Sequence, residues 1–219
     1  MIEKDSFKVF LANSGTDCEV PFLKKLKDLS DEVCPVVKDR RTGAEFPVLA
    51  ALVDHKLKEL DYKLAVSHEV EFIGYNHPDG KRTYLRSLCF VLQNAVRRIY
   101  PDKVLIINHS LPSGLYCTIC EKEPLEDGRR AVHELDDNAL AELKEEMRNI
   151  VSADLPFNKV KMEAAAAEEL FLANGQPDKA ALLKSLGVLI CSVYYLDGQA
   201  DTFHGPLLPS TGYLKVFDL

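Results

Sequence analysis

The spacing of apolar residues changes several times along this chain, and each change marks an element. Residues 7–11 (Phe-Lys-Val-Phe-Leu) and 17–20 read as two strands closed by a turn at Asn13-Ser14-Gly15. Leu23, Leu26, Leu29 and Val33 fall at helical spacing, and Cys34-Pro35 ends that short helix. Leu49 to Asp54 reads as an apolar strand that turns at His55-Lys56 and returns through Val70-Glu71-Phe72-Ile73. Strands, a helix and further strands make a small α+β unit.

The pattern changes near residue 80. From Lys81 to Tyr100 a long helix carries Leu85, Leu88, Val91, Leu92, Ala95, Val96 and Ile99 at helical spacing, and Pro101 stops it. Strands are expected at 103–108 and 115–120, then a charged stretch at 121–134. Asp136-Asp137-Asn138 caps a helix that runs to about Asp154. A further helix is expected over Met162 to Ala173, closed by Asn174-Gly175, and another from Pro177 to Gly187. Val188 to Leu196 reads as a buried strand. The sequence shows no internal repeat.

Composition narrows the class. With 219 residues, 47% of them hydrophobic, and a mean hydropathy of -0.10, the chain can bury one large core or two modest ones. The most apolar run, Leu186 to Leu196, is far shorter than the roughly 18 residues of a membrane span. The charged start, Met-Ile-Glu-Lys-Asp, is unlike a signal peptide, so a cytoplasmic protein with no membrane partner is expected. Cysteines at 18, 34, 89, 117, 120 and 191 lack the density of a disulfide scaffold and are expected to be reduced. Cys117-Thr118-Ile119-Cys120 lies in a strand-like run, where residues three apart point to opposite faces, so it reads as structural.

Net charge of -7 argues against a general nucleic-acid binder. Locally, Lys81, Arg82, Arg86, Arg97, Arg98 and Lys103 stand against Asp102 alone. That stripe either meets a phosphate backbone or is a solvated face opposite the acidic 121–154 region. Gly74-Tyr75-Asn76-His77-Pro78-Asp79-Gly80-Lys81-Arg82-Thr83 sits where a phosphate-binding loop would. It fails as one: the glycine spacing is five, Arg82 replaces the magnesium-binding hydroxyl, Pro78 removes a backbone donor, and Asp79 adds negative charge.

Two distant stretches, Arg86-Ser87-Leu88-Cys89-Phe90 and Phe203-His204-Gly205-Pro206-Leu207, resemble the editing region of threonyl-tRNA synthetase. In that family they read His-x-x-x-His and Cys-x-x-x-His, a zinc-binding set of three imidazoles and one thiolate. Here the matching positions are Arg86, Phe90, Phe203 and Leu207, which cannot donate to zinc, so no metal is expected. Residues 51–60 with the strand at 70–73 resemble the TGS domain, a ubiquitin-like β-grasp module. The resemblance implies a small β-grasp domain at 1–76 and an editing-like α+β domain at 80–219.

Arg82-Thr83-Tyr84-Leu85-Arg86-Ser87-Leu88, Tyr100-Pro101, His109-Ser110, Gly114-Leu115-Tyr116-Cys117 and Leu208-Pro209-Ser210-Thr211-Gly212-Tyr213-Leu214-Lys215 also look like the N-terminal half of bacterial uridine kinase-like proteins. In them, both regions precede a P-loop kinase domain. The resemblance implies a non-catalytic accessory region of an ATP-dependent uridine or nucleoside kinase. Its partner would be that kinase domain, which would use ATP and magnesium; this stretch would need no cofactor of its own.

Two readings of the altered site stay open. Arg82, Arg86, His109 and His204 form a pocket for a phosphate or carboxylate, of a nucleotide or an aminoacyl-RNA end. Alternatively Arg86 makes a structural ion pair while Phe90, Phe203 and Leu207 fill the former cavity. His55, His68, His77 and His133 fall in turns or charged segments and read as solvated. No catalytic triad or carboxylate pair is evident. Besides the accessory role, a hydrolase acting on mischarged tRNA and an RNA-binding module without chemistry are the alternatives.

Overall fold

A computed structural model describes residues 6–39, 41–112 and 114–219; Met1–Asp5, read above for targeting, lie outside the described residues. Strands β1 (Ser6–Leu11) and β2 (Thr16–Pro21) form the expected hairpin, with Gly15 at φ +71° in its turn. Alternation along β1 buries Val9 and Leu11 and leaves Phe10 exposed. Helix α1 (Leu26–Val33) buries Leu26 and Leu29 against this sheet. A small hairpin, β3 (Val36–Lys38) and β4 (Glu45–Pro47), follows; nothing in its short, mixed sequence marked it as strand.

Strand β5 (Ala50–Val53) does not return straight into the 70–73 segment. Asp54 and His55 both adopt positive φ, 47° and 62°, a two-residue turn that sends the chain at once into β6 (Lys56–Lys58), antiparallel to β5. Without a glycine there, the sequence hides this strand. Strand β7 (Glu69–Ile73) then pairs antiparallel with β5 and parallel with β1. The resulting order, β2-β1-β7-β5-β6 with α1 on one face, is a β-grasp.

Helix α2 (Pro78–Ile99) begins three residues earlier than its apolar periodicity suggests. His77 caps it through Nδ1, which accepts from the Asp79 N–H at 3.2 Å, and Pro78 takes the first helical position. A side chain at Gly80 would strike the Gly74 carbonyl, its Cβ 2.0 Å away, so glycine alone lets sheet and helix meet. His77 is therefore a capping residue, a correction to its solvated reading. His68 and His133 are corrected too. His68 lies 2.6 Å from Asp54, and the His133 ring centroid is 5.1 Å from that of Tyr100.

One side of α2 meets a three-stranded sheet of β8 (Lys103–Leu111), β9 (Gly114–Pro124) and β10 (Arg130–His133). Strand β10 lies inside the charged 121–134 stretch; its Arg130 and Val132 pair with Pro124 and Cys120 of β9 across a bulge. Helix α3 (Asp137–Ser152) packs on α2, its N-terminus capped by Asp136, which accepts from the Ala139 N–H at 2.8 Å. The helix predicted over Met162–Ala173 starts at Ala164 as α4 (Ala164–Ala173), because Met162 and Glu163 end strand β11 (Asn158–Glu163). Lys159, Val160, Lys161 and Met162 pair with β12 (Ile190–Leu196), and this pairing overrides the helical reading at Met162 and Glu163.

Helix α5 (Pro177–Leu186) ends at Gly187, φ 61°. The strand expected from Val188 is buried only toward its end, Ile190 being exposed and Leu196 fully buried. An Asp197-Gly198 turn, both φ positive, joins β12 to β13 (Gln199–Asp201).

The last segment returns over the body as a clasp. Tyr84 donates its hydroxyl to the Val216 carbonyl at 2.8 Å and accepts the Val216 N–H at 2.9 Å. Thr211, fully buried, donates to the Ile150 carbonyl and accepts from the Leu155 N–H. Leu208-Pro209-Ser210-Thr211-Gly212-Tyr213 is thereby explained as a structural motif. Gly212 has no room for a side chain, since a Cβ there would lie 2.2 Å from Asp154 Oδ1. The main core gathers Phe90, Val91, Met147, Ile150, Leu196 and Leu207, and Tyr213 packs against both this core and the β-grasp core.

Candidate functional site

The fold brings the two distant stretches together. Residues 203–207, just after β13, lie against the face of α2 that carries Arg86 and Phe90. Phe90 is fully buried, its ring centroid 5.1 Å from Phe203 and 5.9 Å from Phe157. Leu207 belongs to the same core. Arg86 donates from Nε (3.1 Å) and Nη2 (3.0 Å) to the Pro206 carbonyl, and from Nη2 to Thr83 Oγ1 at 3.1 Å.

This approach needs Gly205, whose φ of +126° and whose Cβ position, 2.9 Å from Arg86 Cζ, exclude a side chain. Burial pulls the Arg86 pKa below its ordinary value, yet an arginine stays charged. The four matching positions thus form one packed cluster of three apolar side chains and one guanidinium held by a carbonyl.

The other residues named for an anion pocket are distributed unevenly around it. Arg82 lies one turn before Arg86 and donates to Asp79 at 2.5 Å and 3.2 Å. His204 is exposed in the loop beside Gly205. His109 stands on β8, its ring 5.2 Å from Tyr116 of β9. That hairpin packs on the stripe of α2 carrying Leu85, Leu88 and Leu92, away from Phe90 and Phe203. Arg86 and the His204 loop meet; His109 does not join them.

The basic stripe of 81–109 is largely engaged within the molecule. Arg98 bridges Glu146 at 2.5 Å and Asp197 at 2.6 Å, Arg97 donates to Gln199 at 3.1 Å, and Lys103 holds Glu121 and Asp102. This matches the solvated-face alternative, with Glu121 and Glu146 both inside the acidic 121–154 region.

Sequence reasoning missed two features. Asp201, two residues before Phe203, is buried and pairs with Lys179 from the first turn of α5. Burial lowers the Lys179 pKa against the pull of Asp201. The partners come from separate segments, so no local spacing announced them.

The second feature is a cleft of about 470 Å3 where Lys25 and the 59–63 segment after β6 face β11 and β12. Lys25, Lys63, Lys159 and Lys161 line it with Glu59 and Asp61. At its floor Tyr194 donates to Glu59 at 3.1 Å, and Leu207 closes one wall. Burial, then Glu59, raise the Tyr194 pKa, so the phenol keeps its proton.

The β-grasp sheet followed by an α+β body belongs to a chain whose sequence is similar to the N-terminal region of threonine–tRNA ligases. No family model matches it. Among similar proteins, the threonine–tRNA ligase of Desulforamulus reducens is 30% identical over 188 residues, covering 85% of this chain and 28% of the ligase. That of Carboxydothermus hydrogenoformans is 28% identical over 172 residues, 78% of this chain and 26% of its own. That of Clostridium kluyveri is 26% identical over 213 residues, 97% of this chain and 31% of its own. The chain spans less than a third of the length of these relatives, and they give the uridine kinase link no support.

Proposed function

We propose that this chain is a tRNA-related binding module that carries an editing-type fold without editing chemistry. The observation that carries the second half is the packing at the four matching positions. Phe90 and Leu207 are sealed in the core, and Arg86 is anchored on the Pro206 carbonyl. A metal-assisted hydrolase needs an open coordination position for water, and a close-packed aromatic cluster leaves none. The tRNA half is supported by the similarity to threonine–tRNA ligases across most of the chain.

Incubating purified protein with seryl-tRNA, with and without added zinc, tests the absence of chemistry. The expected result is deacylation at the background rate in both, while a fluorescent tRNA binds with steeply salt-dependent affinity. Zinc-stimulated deacylation overturns the proposal. The accessory role beside a nucleoside kinase domain rests on the sequence resemblance alone.

A further inference from the structure

We infer that the lysine-lined cleft between the 59–63 segment and strands β11 and β12 holds the phosphates of an RNA strand. This rests on the tRNA-binding proposal and locates it.

Four ammonium groups converge there from three separate segments: Lys25 ahead of α1, Lys63 between β6 and β7, and Lys159 with Lys161 on one face of β11. Two are matched by carboxylates, Lys25 by Asp61 at 2.7 Å and Lys159 by Glu59 at 2.9 Å. Lys63 and Lys161 have no carboxylate within ion-pair distance among the described residues. A concave surface with two unmatched positive charges, on a chain of net charge -7, concentrates anions against the average field of the molecule.

Behind the lysines the cleft is closed by Phe157, Tyr194 and Leu207, all buried, and Lys159 Nζ lies 5.5 Å from the Tyr194 ring centroid. The volume suits one or two nucleotides rather than a duplex. Leu207 connects the cleft to the editing-type cluster, so one side chain both fills a former ligand position and walls the new site.

The test compares wild type with Lys63→Gln/Lys161→Gln, Asp61→Asn and Lys81→Gln in anisotropy titrations of a labelled tRNA transcript over a range of salt. All four substituted residues are exposed, and thermal melts check that the variants stay folded. The double lysine variant should bind roughly tenfold or more weakly, with a salt slope shallower by about two, near one per lost phosphate contact.

Asp61→Asn frees Lys25 and should tighten binding a few-fold, while Lys81→Gln, on α2 and outside the cleft, should change nothing. Wild-type binding that the lysine variants retain unchanged overturns this inference alone. No tRNA binding by the wild type overturns the functional proposal and this inference together. AMP binding that needs Lys63 and Lys161, without any tRNA binding, assigns the cleft to a free nucleotide and overturns the RNA assignment.

Discussion

Replacing Phe90 with Ala tests whether the cluster of Arg86, Phe90, Phe203 and Leu207 is a filled core or a lined pocket. Phe90 has no exposed surface, and its ring meets Phe203 and Phe157 at centroid distances of 5.1 Å and 5.9 Å. Truncating a buried phenylalanine loses its transfer free energy and leaves a cavity, together about 3–5 kcal/mol. For a chain of this size each kcal/mol lowers Tm by about 2–4 °C, so the expected drop is roughly 6–20 °C. Thermal melts followed by far-UV circular dichroism suit a chain with no tryptophan. A double-mutant cycle of Phe90→Leu with Phe203→Leu should return a coupling of about 0.5–1.5 kcal/mol from the ring pair. If Phe90 instead lined an open site, truncation would cost under about 1 kcal/mol, so a Tm shift below about 2 °C refutes the filled-core reading.

Gly205→Ala places a Cβ against the Arg86 guanidinium at an unfavourable φ; thermal melts should show a loss of about 1–3 kcal/mol. Tyr84→Phe removes both hydrogen bonds to Val216, and urea denaturation should register about 1–3 kcal/mol, with the terminal segment exposed earlier to limited proteolysis. Asp54 accepts from the Glu69 N–H and lies beside His68, and these contacts, the Glu69 bond first, hold its pKa below the ordinary Asp value. A carboxyl depressed in the folded state adds stability above the unfolded value, near 4, that is lost as pH falls through the folded one. Asp54→Asn should therefore flatten the decline of Tm with acid below about pH 4; an unchanged acid limb contradicts that assignment.

Long, periodic segments were legible in the sequence: α2 from its apolar stripe, α3 from its Asp136 cap, and the first hairpin from alternation around Gly15. What stayed hidden depends on partners far along the chain. Met162 and Glu163 read as the start of a helix because they run into Ala164 to Ala167, and only pairing with β12 shows them, with Lys159 and Lys161, as strand residues. Strand β6 is set by left-handed φ at Asp54 and His55, conformations that their residue types permit without announcing.

The family resemblance singled out Arg86 and Phe90, and helical periodicity fixes the two on one face. That face does not reach His109, because the β8–β9 hairpin packs on the opposite stripe of α2. The lysine cleft was invisible for the same reason as the Lys179–Asp201 pair: its side chains are joined by tertiary packing and not by local spacing.

Equilibrium binding of wild-type protein to labelled tRNA across a salt series, run in parallel with zinc and with a chelator, tests the central claim most directly. A metal-free binding module predicts saturable binding whose logarithm falls linearly with log salt, with the same affinity in both series. Binding that requires zinc, or an affinity flat in salt, contradicts it.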